Sequence, residues 1–301
     1  MPDAPAPPAR LRVVTWNIRA AIGPGDPFPP AWWRHVREDR LARIAGILRD
    51  LDPDLATLQE ASVLTPDGRL LDQPAELGRL TGRHVRYAAV HSFPLVEPET
   101  GRSIGMASWG NAVLSRVPLS DGFAVGLPRA ADGDPIEVDG ALDPATGGPH
   151  PMIGVRYGGA EPGHREPRCL VGGHLGGVMI ATTHLTYIGR AQRALQAAAV
   201  AREVSDRSGD GPAILTGDFN AAVDAAELTP LRGNGFVDGF AAVGIAPGDE
   251  RRLSCGPWPI DHVRIRGLRV AGCRVAREAG DASDHWPVVA DLESLSGGAP
   301  T

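Results

Sequence analysis

The 301-residue sequence predicts an α/β protein folded as a single domain. Three observations lead there. Short apolar runs of strand length each stop at a polar residue, two stretches carry apolar residues at helical spacing, and a strand–helix–strand order occurs twice. No shift in composition marks a linker, so residues 10–295 form one domain. Residues 1–9, rich in proline and alanine, are expected to be a disordered lead, and residues 296–301 a frayed tail.

In chain order, the β-formers at 11–16 end at Asn17, so the first strand hands a carboxamide to its carboxyl end. In isolation such an asparagine is most often a turn residue. After a proline-rich loop, Leu41, Ile44 and Leu48 fall at i, i+3 and i+7, which is an amphipathic helix stopping before Pro53. Leu55-Ala56-Thr57-Leu58 makes a second short strand that ends at Gln59-Glu60, where a lone glutamate is ordinarily solvated. A strand-like run follows at 85–90. Asn111 then opens an apolar strand ending in Ser115-Arg116, and Arg116 reads as an exposed strand-end residue.

Residues 120–163, with many Gly, Pro and Asp and no sustained period, read as an irregular insertion and as the candidate for substrate specificity. The stretch 169–175 then leads to a strong strand at 178–183 that ends at His184, a position where histidine alone is most often structural. Ile188, Ala191, Leu195, Ala198 and Ala199 define a second amphipathic helix.

The strand at 213–215 opens the most informative stretch, Ile214-Leu215-Thr216-Gly217-Asp218-Phe219-Asn220. A sheet delivers polar groups to its edge in this way: Asp218 can bind a hard cation or orient a water, and Asn220 offers an uncharged donor to a phosphoryl oxygen. Asp261 and His262 begin a late strand, and Asp284-His285 precedes the last one. The adjacent pair supplies an oxygen acceptor and an imidazole that titrates near neutrality, and Asp261 could fix the tautomer of that imidazole.

A formal net charge of −6 and a pI near 5.8 give no overall basic face, which argues weakly against nucleic acid. Three cysteines, Cys169, Cys255 and Cys273, are odd in number and lack metal-ligand spacing; neither a disulfide framework nor a zinc site is expected, and a reducing cytoplasm fits. No stretch approaches ~20 uninterrupted apolar residues. Stable membrane association is not expected, although the loop around Trp258 could insert into a surface.

Taken in order, Thr15-Trp16-Asn17, Leu58-Gln59-Glu60, Thr183-His184-Leu185, Gly217-Asp218-Phe219-Asn220, Ile260-Asp261-His262 and Ser283-Asp284-His285-Trp286-Pro287-Val288 resemble the endonuclease/exonuclease/phosphatase family across residues 11–292. The resemblance implies a DNase I-like four-layer α/β/β/α sandwich of two mixed β-sheets. It also implies hydrolysis of a phosphoester, nucleic acid included, by direct attack of water with a divalent cation, usually Mg2+ and alternatively Mn2+. Carried over position by position, Glu60, Asn17 and Asp284 would serve the metal and Asp218 the attacking water. Asn220 would hold a phosphoryl oxygen or that water. His285, held by Asp261, would act as base or phosphate donor, and His184 would contact the phosphate or assist the leaving group.

Arg165 resembles a phosphate-contacting arginine of the secreted nuclease group, with Arg168 a weaker second, and the segment from Asn111 to Arg116 resembles one found in phosphatase-type members, which makes Asn111 a phosphate candidate. Two departures stand out. Arg19 occupies the place where abasic-site nucleases carry an acid, and no glutamate between Arg79 and Val96 serves His184. Two other readings therefore stay open: a phosphatase or phospholipase C-type enzyme acting on an inositol phosphate or a sphingomyelin-like lipid, and a non-catalytic binding module. Retention of so many charged residues with no use in a core speaks against the second.

Overall fold

The computed structural model describes residues 9–26, 31–129, 167–187 and 189–295. In its first half the strands are β1 (Arg10–Asn17), β2 (Leu55–Leu64), β3 (Leu71–Asp72), β4 (His84–Val96), β5 (Ser103–Ser115) and β6 (Ser120–Gly126), with helices α1 (Glu38–Leu51) and α2 (Gln73–Thr81). The second half holds β7 (Cys169–Leu175), β8 (Val178–His184), β9 (Ala213–Asp218), β10 (Val237–Asp238), β11 (Asp261–Arg266), β12 (Leu268–Val275) and β13 (Val288–Ser294). Its helices are α3 (Arg190–Ser208), α4 (Thr229–Arg232) and α5 (Gly239–Ala242).

One sheet runs β12-β13-β1-β2-β5-β4, with β3 beside β2, and the other runs β10-β11-β9-β8-β7-β6. β1 and β2 pair in parallel across α1, and β8 and β9 pair in parallel across α3; the remaining pairs are antiparallel. Each parallel crossover lies inside its sheet, so the two halves share the layout that the strand spacing suggests. Both sheets are mixed.

Burial on both faces explains why these strands read as continuous apolar runs. Val13, Leu55 and Val288 of one sheet meet Val171, Ile180, Ile214 and Val263 of the other in the central core. Val14, Trp16 and Leu58, on the opposite face, lie under Ile44, Leu48 and Leu77 of α1 and α2. On the far side Leu170, Ala181 and Leu215 are covered by Ala197, Val200 and Val204 of α3. The result is the expected four-layer sandwich.

A polar seam crosses the central core near one end. Thr57 Oγ1 and Thr216 Oγ1 lie 2.8 Å apart, and Gln59 Nε2 donates to Thr182 Oγ1 at 2.9 Å, joining the sheets through fully buried groups. Thr15, Thr182 and Thr216 each sit two residues before a site residue, namely Asn17, His184 and Asp218. The period of two along a strand puts both members of each pair on the same, inward face.

Several elements differ from the sequence reading. β2 does not end at Gln59-Glu60: its register to β5 slips between Leu58 and Ala61, Glu60 takes φ +55°, and pairing resumes to Leu64. This is a β-bulge, which re-aims one side chain without ending the strand. α2 was not expected, because at nine residues it offers too few turns for a clear period; it is started by Asp72, whose carboxylate accepts from Ala75 N at 3.0 Å. The segment 120–163 is not irregular from its start, since β6 occupies Ser120–Gly126 as an edge strand on β7 and buries Phe123. Residues 130–163 of it, the lead 1–8 and the tail 296–301 lie outside the described residues, as does Ile188.

The buried face of α3 was also misplaced. Ala191, Leu195 and Ala198 point outward, with Leu195 55% exposed, while Gln192, Arg193 and Gln196 point in. Two of these inward groups are held by hydrogen bonds: Gln196 Oε1 accepts from Thr186 N at 2.8 Å, and Arg193 pairs with Glu227 at 2.8 Å and donates to Thr186 O at 3.0 Å. Specific hydrogen bonds outweighed the apolar pattern.

Candidate active site

Carboxyl ends of β1, β8 and β9, the bulge of β2, the start of β11 and the loop before β13 meet at one edge of the sandwich. They deliver Asn17, His184, Asp218, Glu60, Asp261 and Asp284-His285. Register accounts for the meeting: His184 is paired with Asp218 across β8 and β9, and Asp218 with Asp261 across β9 and β11.

Asp218 Oδ2 is the hub. Asn17 Nδ2 donates to it at 3.2 Å, His184 Nε2 lies 3.5 Å away and His285 Nε2 3.7 Å away. Its other oxygen accepts from Asn220 N at 2.9 Å. Asn17 Nδ2 also donates to Glu60 Oε1 at 3.0 Å, which ties the bulge to the first strand. Asp261 Oδ2 sits 2.8 Å from His285 Nδ1, so Nε2 of that ring faces Asp218. His184, Asp218, Asp261 and His285 are all buried.

The electrostatics follow from crowding acids out of water. Burial, and then the charge of Asp284, push the Glu60 carboxyl up to about 7, against the pull of the Asn17 amide. Burial and then Asp261 push Asp218 up to about 6. Burial alone would lower His285, but Asp261, by charge and hydrogen bond, holds it well above its ordinary value. His184 goes the other way: burial first, then the charges of Arg168 and His285, hold it well below, so it is neutral at pH 7. Two imidazoles of opposite charge state thus flank one carboxylate.

A divalent cation fits this donor set. Ligand atoms of Asp218, Asp261 and His285 all lie within 4.8 Å of one another, and Asp261 Oδ1 is buried with no hydrogen-bond partner among the described residues. Since His285 keeps its proton against Asp261, the donors on offer are carboxylate oxygens, with Glu60 and Asp284 near enough to repel each other. Burial first, and then a neighbouring acid, makes Glu60 and Asp218 hold protons more tightly than free carboxyls, and a bound cation would favour their ionised forms. Oxygen donors with few carboxylates are also what hard cations select.

The structure leaves some candidates elsewhere. Asn111, opposite the β2 bulge, donates through Nδ2 to Cys169 O at 3.3 Å, and Thr183 Oγ1 donates to the same carbonyl at 3.0 Å; the amide braces β5 against β7 rather than joining the cluster. Asn220 Nδ2 donates to Leu185 O at 2.9 Å, so it clamps the turn after β9 to the end of β8. Asp284 is engaged by Arg19 Nε at 3.3 Å and its side chain is 38% exposed, which puts it at the rim. Arg168 is buried beside His184, whereas Arg165 lies outside the described residues.

Four supporting groups went unnoticed in the sequence. Ser283 Oγ donates to Asn17 O at 2.8 Å and Trp16 Nε1 to His285 O at 2.9 Å, linking the last loop to the first strand. Ser254 Oγ accepts from Asp261 N at 3.2 Å, and the Cys255 thiol is hydrogen-bonded to His285. Ser283 and Trp16 stood inside the motifs already singled out; Ser254 and Cys255 carried no local signal.

A two-sheet α/β/β/α sandwich with carboxylates, carboxamides and imidazoles gathered at its strand ends has the DNase I-like architecture. The sequence matches the Endonuclease/Exonuclease/phosphatase family over residues 14–285, and the chain belongs to that family. Its members are generally phosphoester hydrolases that typically depend on a divalent metal.

Among solved structures it is similar to an endonuclease/exonuclease/phosphatase from Beutenbergia cavernae, at 24% identity and TM-score 0.64, covering 95% of this chain and 72% of that one. The human Nocturnin catalytic domain with bound sulfate gives 16% identity and TM-score 0.59, covering 95% and 94%. A mannosyl-6-phosphatase from Bacteroides thetaiotaomicron gives 19% and 0.55, covering 94% and 99%. At these identities what is shared is the fold. A comparison with curated protein sequences gave no match.

Proposed function

We propose that the protein hydrolyses a phosphodiester by direct attack of water, with Mg2+ bound at the strand-end cluster. The observation that carries this reading is the convergence of Asn17 Nδ2, His184 Nε2 and His285 Nε2 on Asp218 Oδ2. Such an arrangement would hold a water on the Asp218 oxygen and a phosphoryl oxygen on the surrounding donors.

Glu60 and Asn17 would hold the cation, with Asp284 as a further oxygen donor. When bound, the cation neutralises the charge on phosphoryl oxygens that otherwise repels a nucleophile. Asp218 Oδ2 accepts the proton of the attacking water, and a carboxyl near 6 is poised for that at neutral pH. His285, kept protonated by Asp261, donates from Nε2 to a phosphoryl oxygen. Neutral His184 donates an N–H to the phosphate or to the leaving oxygen, and Asn220 keeps the Asp218 loop in register.

The test is a Mg2+-dependent hydrolysis panel on purified protein. It comprises plasmid DNA, an abasic duplex, single-stranded RNA, bis-p-nitrophenyl phosphate, p-nitrophenyl phosphate, an inositol phosphate and sphingomyelin, with His285→Ala as control. Diester cleavage that is lost in the control supports the proposal. Cleavage of monoesters alone would replace it with a phosphatase activity, cleavage of sphingomyelin alone would narrow the diester to a phospholipase C-type substrate, and silence throughout would leave a binding module.

A further inference from the structure

Of the six tryptophans, Trp258 stands out: it is 47% exposed, whereas Trp16, Trp32, Trp33 and Trp109 are buried. Leaving an indole in water forgoes burial that stabilises by roughly 2–3 kcal/mol. It sits in Gly256-Pro257-Trp258-Pro259, and a proline on either side restricts the backbone there. The turn is closed by reciprocal hydrogen bonds, Trp258 N to Cys255 O at 2.8 Å and Cys255 N to Trp258 O at 3.0 Å.

Cys255 is paired at the same time with His285, also antiparallel, and Trp286 N donates to Ser254 O at 2.7 Å. Trp258, Cys255 and His285 therefore form one row across three adjacent segments. Residues directly opposed across an antiparallel pair project from the same face. The hydrogen bond from the His285 ring to the Cys255 sulfur agrees with that geometry. Two steps of about 5 Å put the backbone of Trp258 about 10 Å from that of His285, with the two side chains on the same face of the row.

Side chains that share a face across such a backbone separation can reach the two ends of one nucleotide, its phosphate and the base beyond the sugar. We propose that Trp258 is a specificity-determining residue that stacks on the nucleobase of a nucleotide phosphoester whose phosphate lies at Asp218 and His285. The proposal rests on the phosphoesterase reading above. A lipid-surface role fits less well, because the turn offers a single indole among glycine and prolines, whereas membrane-surface segments combine several apolar residues with basic ones.

Thymidine 5′-(p-nitrophenyl phosphate) and methyl p-nitrophenyl phosphate share a leaving group and differ in the nucleoside that only the first carries. Trp258→Ala is expected to raise KM for the thymidine ester about tenfold with kcat little changed. Its effect on the methyl ester is expected to be at least fivefold smaller, and Trp258→Phe should keep most of the affinity. Independently of turnover, AMP with Mg2+ should quench tryptophan fluorescence in the wild type and much less in Trp258→Phe.

Equal losses on both esters would make the turn merely structural and overturn the proposal. So would loss of binding to sphingomyelin vesicles with nucleotide affinity intact, or a KM effect confined to mannose 6-phosphate. If the wild type turns over no ester, the hydrolase reading fails, and the AMP quench alone decides Trp258: its absence overturns the stacking role and its Trp258-dependent presence upholds it.

Discussion

Replacing Glu60 with Gln keeps the shape of the bulge and removes the charge assigned to the metal. With its carboxyl near 7 in the metal-free protein, Glu60 is about one-tenth ionised at pH 6 and about nine-tenths at pH 8. Mg2+ must displace that proton, so wild-type affinity is expected to rise roughly ninefold over this range from Glu60 alone. Asp218, near 6, adds about twofold in both proteins. Titration calorimetry at pH 6, 7 and 8 should therefore show a steep pH dependence in the wild type, and in Glu60→Gln a shallow one with weaker binding at pH 8.

The same shift bears on stability without metal. The folded-state value lies above the ordinary 4.5, so the native state holds the proton more tightly; the contribution is fully present below pH 4.5 and is lost as pH rises through about 7. The loss amounts to at most about 3 kcal/mol, lessened by water at the partly open edge of the site. In EDTA at pH 8, Glu60→Gln should melt above wild type. An unchanged pH slope of Mg2+ affinity in the variant, or a lower melting point under those conditions, would refute the reasoning.

Two further outcomes are expected. Asp261→Asn removes the charge that keeps His285 protonated, so kcat/KM should fall ~10²–10⁴-fold and its alkaline limb should move toward lower pH, read from a pH–rate profile. Arg193→Met leaves buried Glu227 without its closest cation and should destabilise by about 3–5 kcal/mol in urea unfolding; adding Glu227→Leu should recover much of that.

Much of the fold was legible because both faces of its central strands are covered. Runs such as Ala213-Ile214-Leu215 and Val178-Met179-Ile180 had to be apolar throughout, and each stopped where the chain reached the site at Asp218 or His184. Elements stabilised by specific polar partners were harder to see. Gln196 and Arg193 face inward on α3 because Thr186 and Glu227 are there to meet them, and no periodicity of apolar residues encodes that. Glu60 looked like a strand end because a bulge and an end present the same local sequence; only pairing with Ala112 and Gly110 of β5 on either side distinguishes them.

The site divides along the same line. Asn17, Glu60, His184, Asp218, Asp261 and His285 were readable as polar residues at strand ends, and the structure gathers them. The partner of the Asn111 amide, Cys169 on β7, could not be read locally because it is 58 positions away. Arg19 looked like a lost metal ligand; its guanidinium instead holds Asp284. Ser254 and Cys255 lie on a turn whose link to His285 exists only through the pairing of distant segments.

The most direct test of the central claim is hydrolysis of bis-p-nitrophenyl phosphate by wild type and Asp218→Asn at neutral pH, each with Mg2+ and with EDTA. The variant keeps the hub's shape and leaves Asn17, His184 and His285 around it. Wild-type turnover should require Mg2+, and Asp218→Asn should lose about 10³-fold or more in rate while melting no lower than wild type. Turnover in EDTA, or a variant within a few-fold of wild type, would contradict an active site built around Asp218.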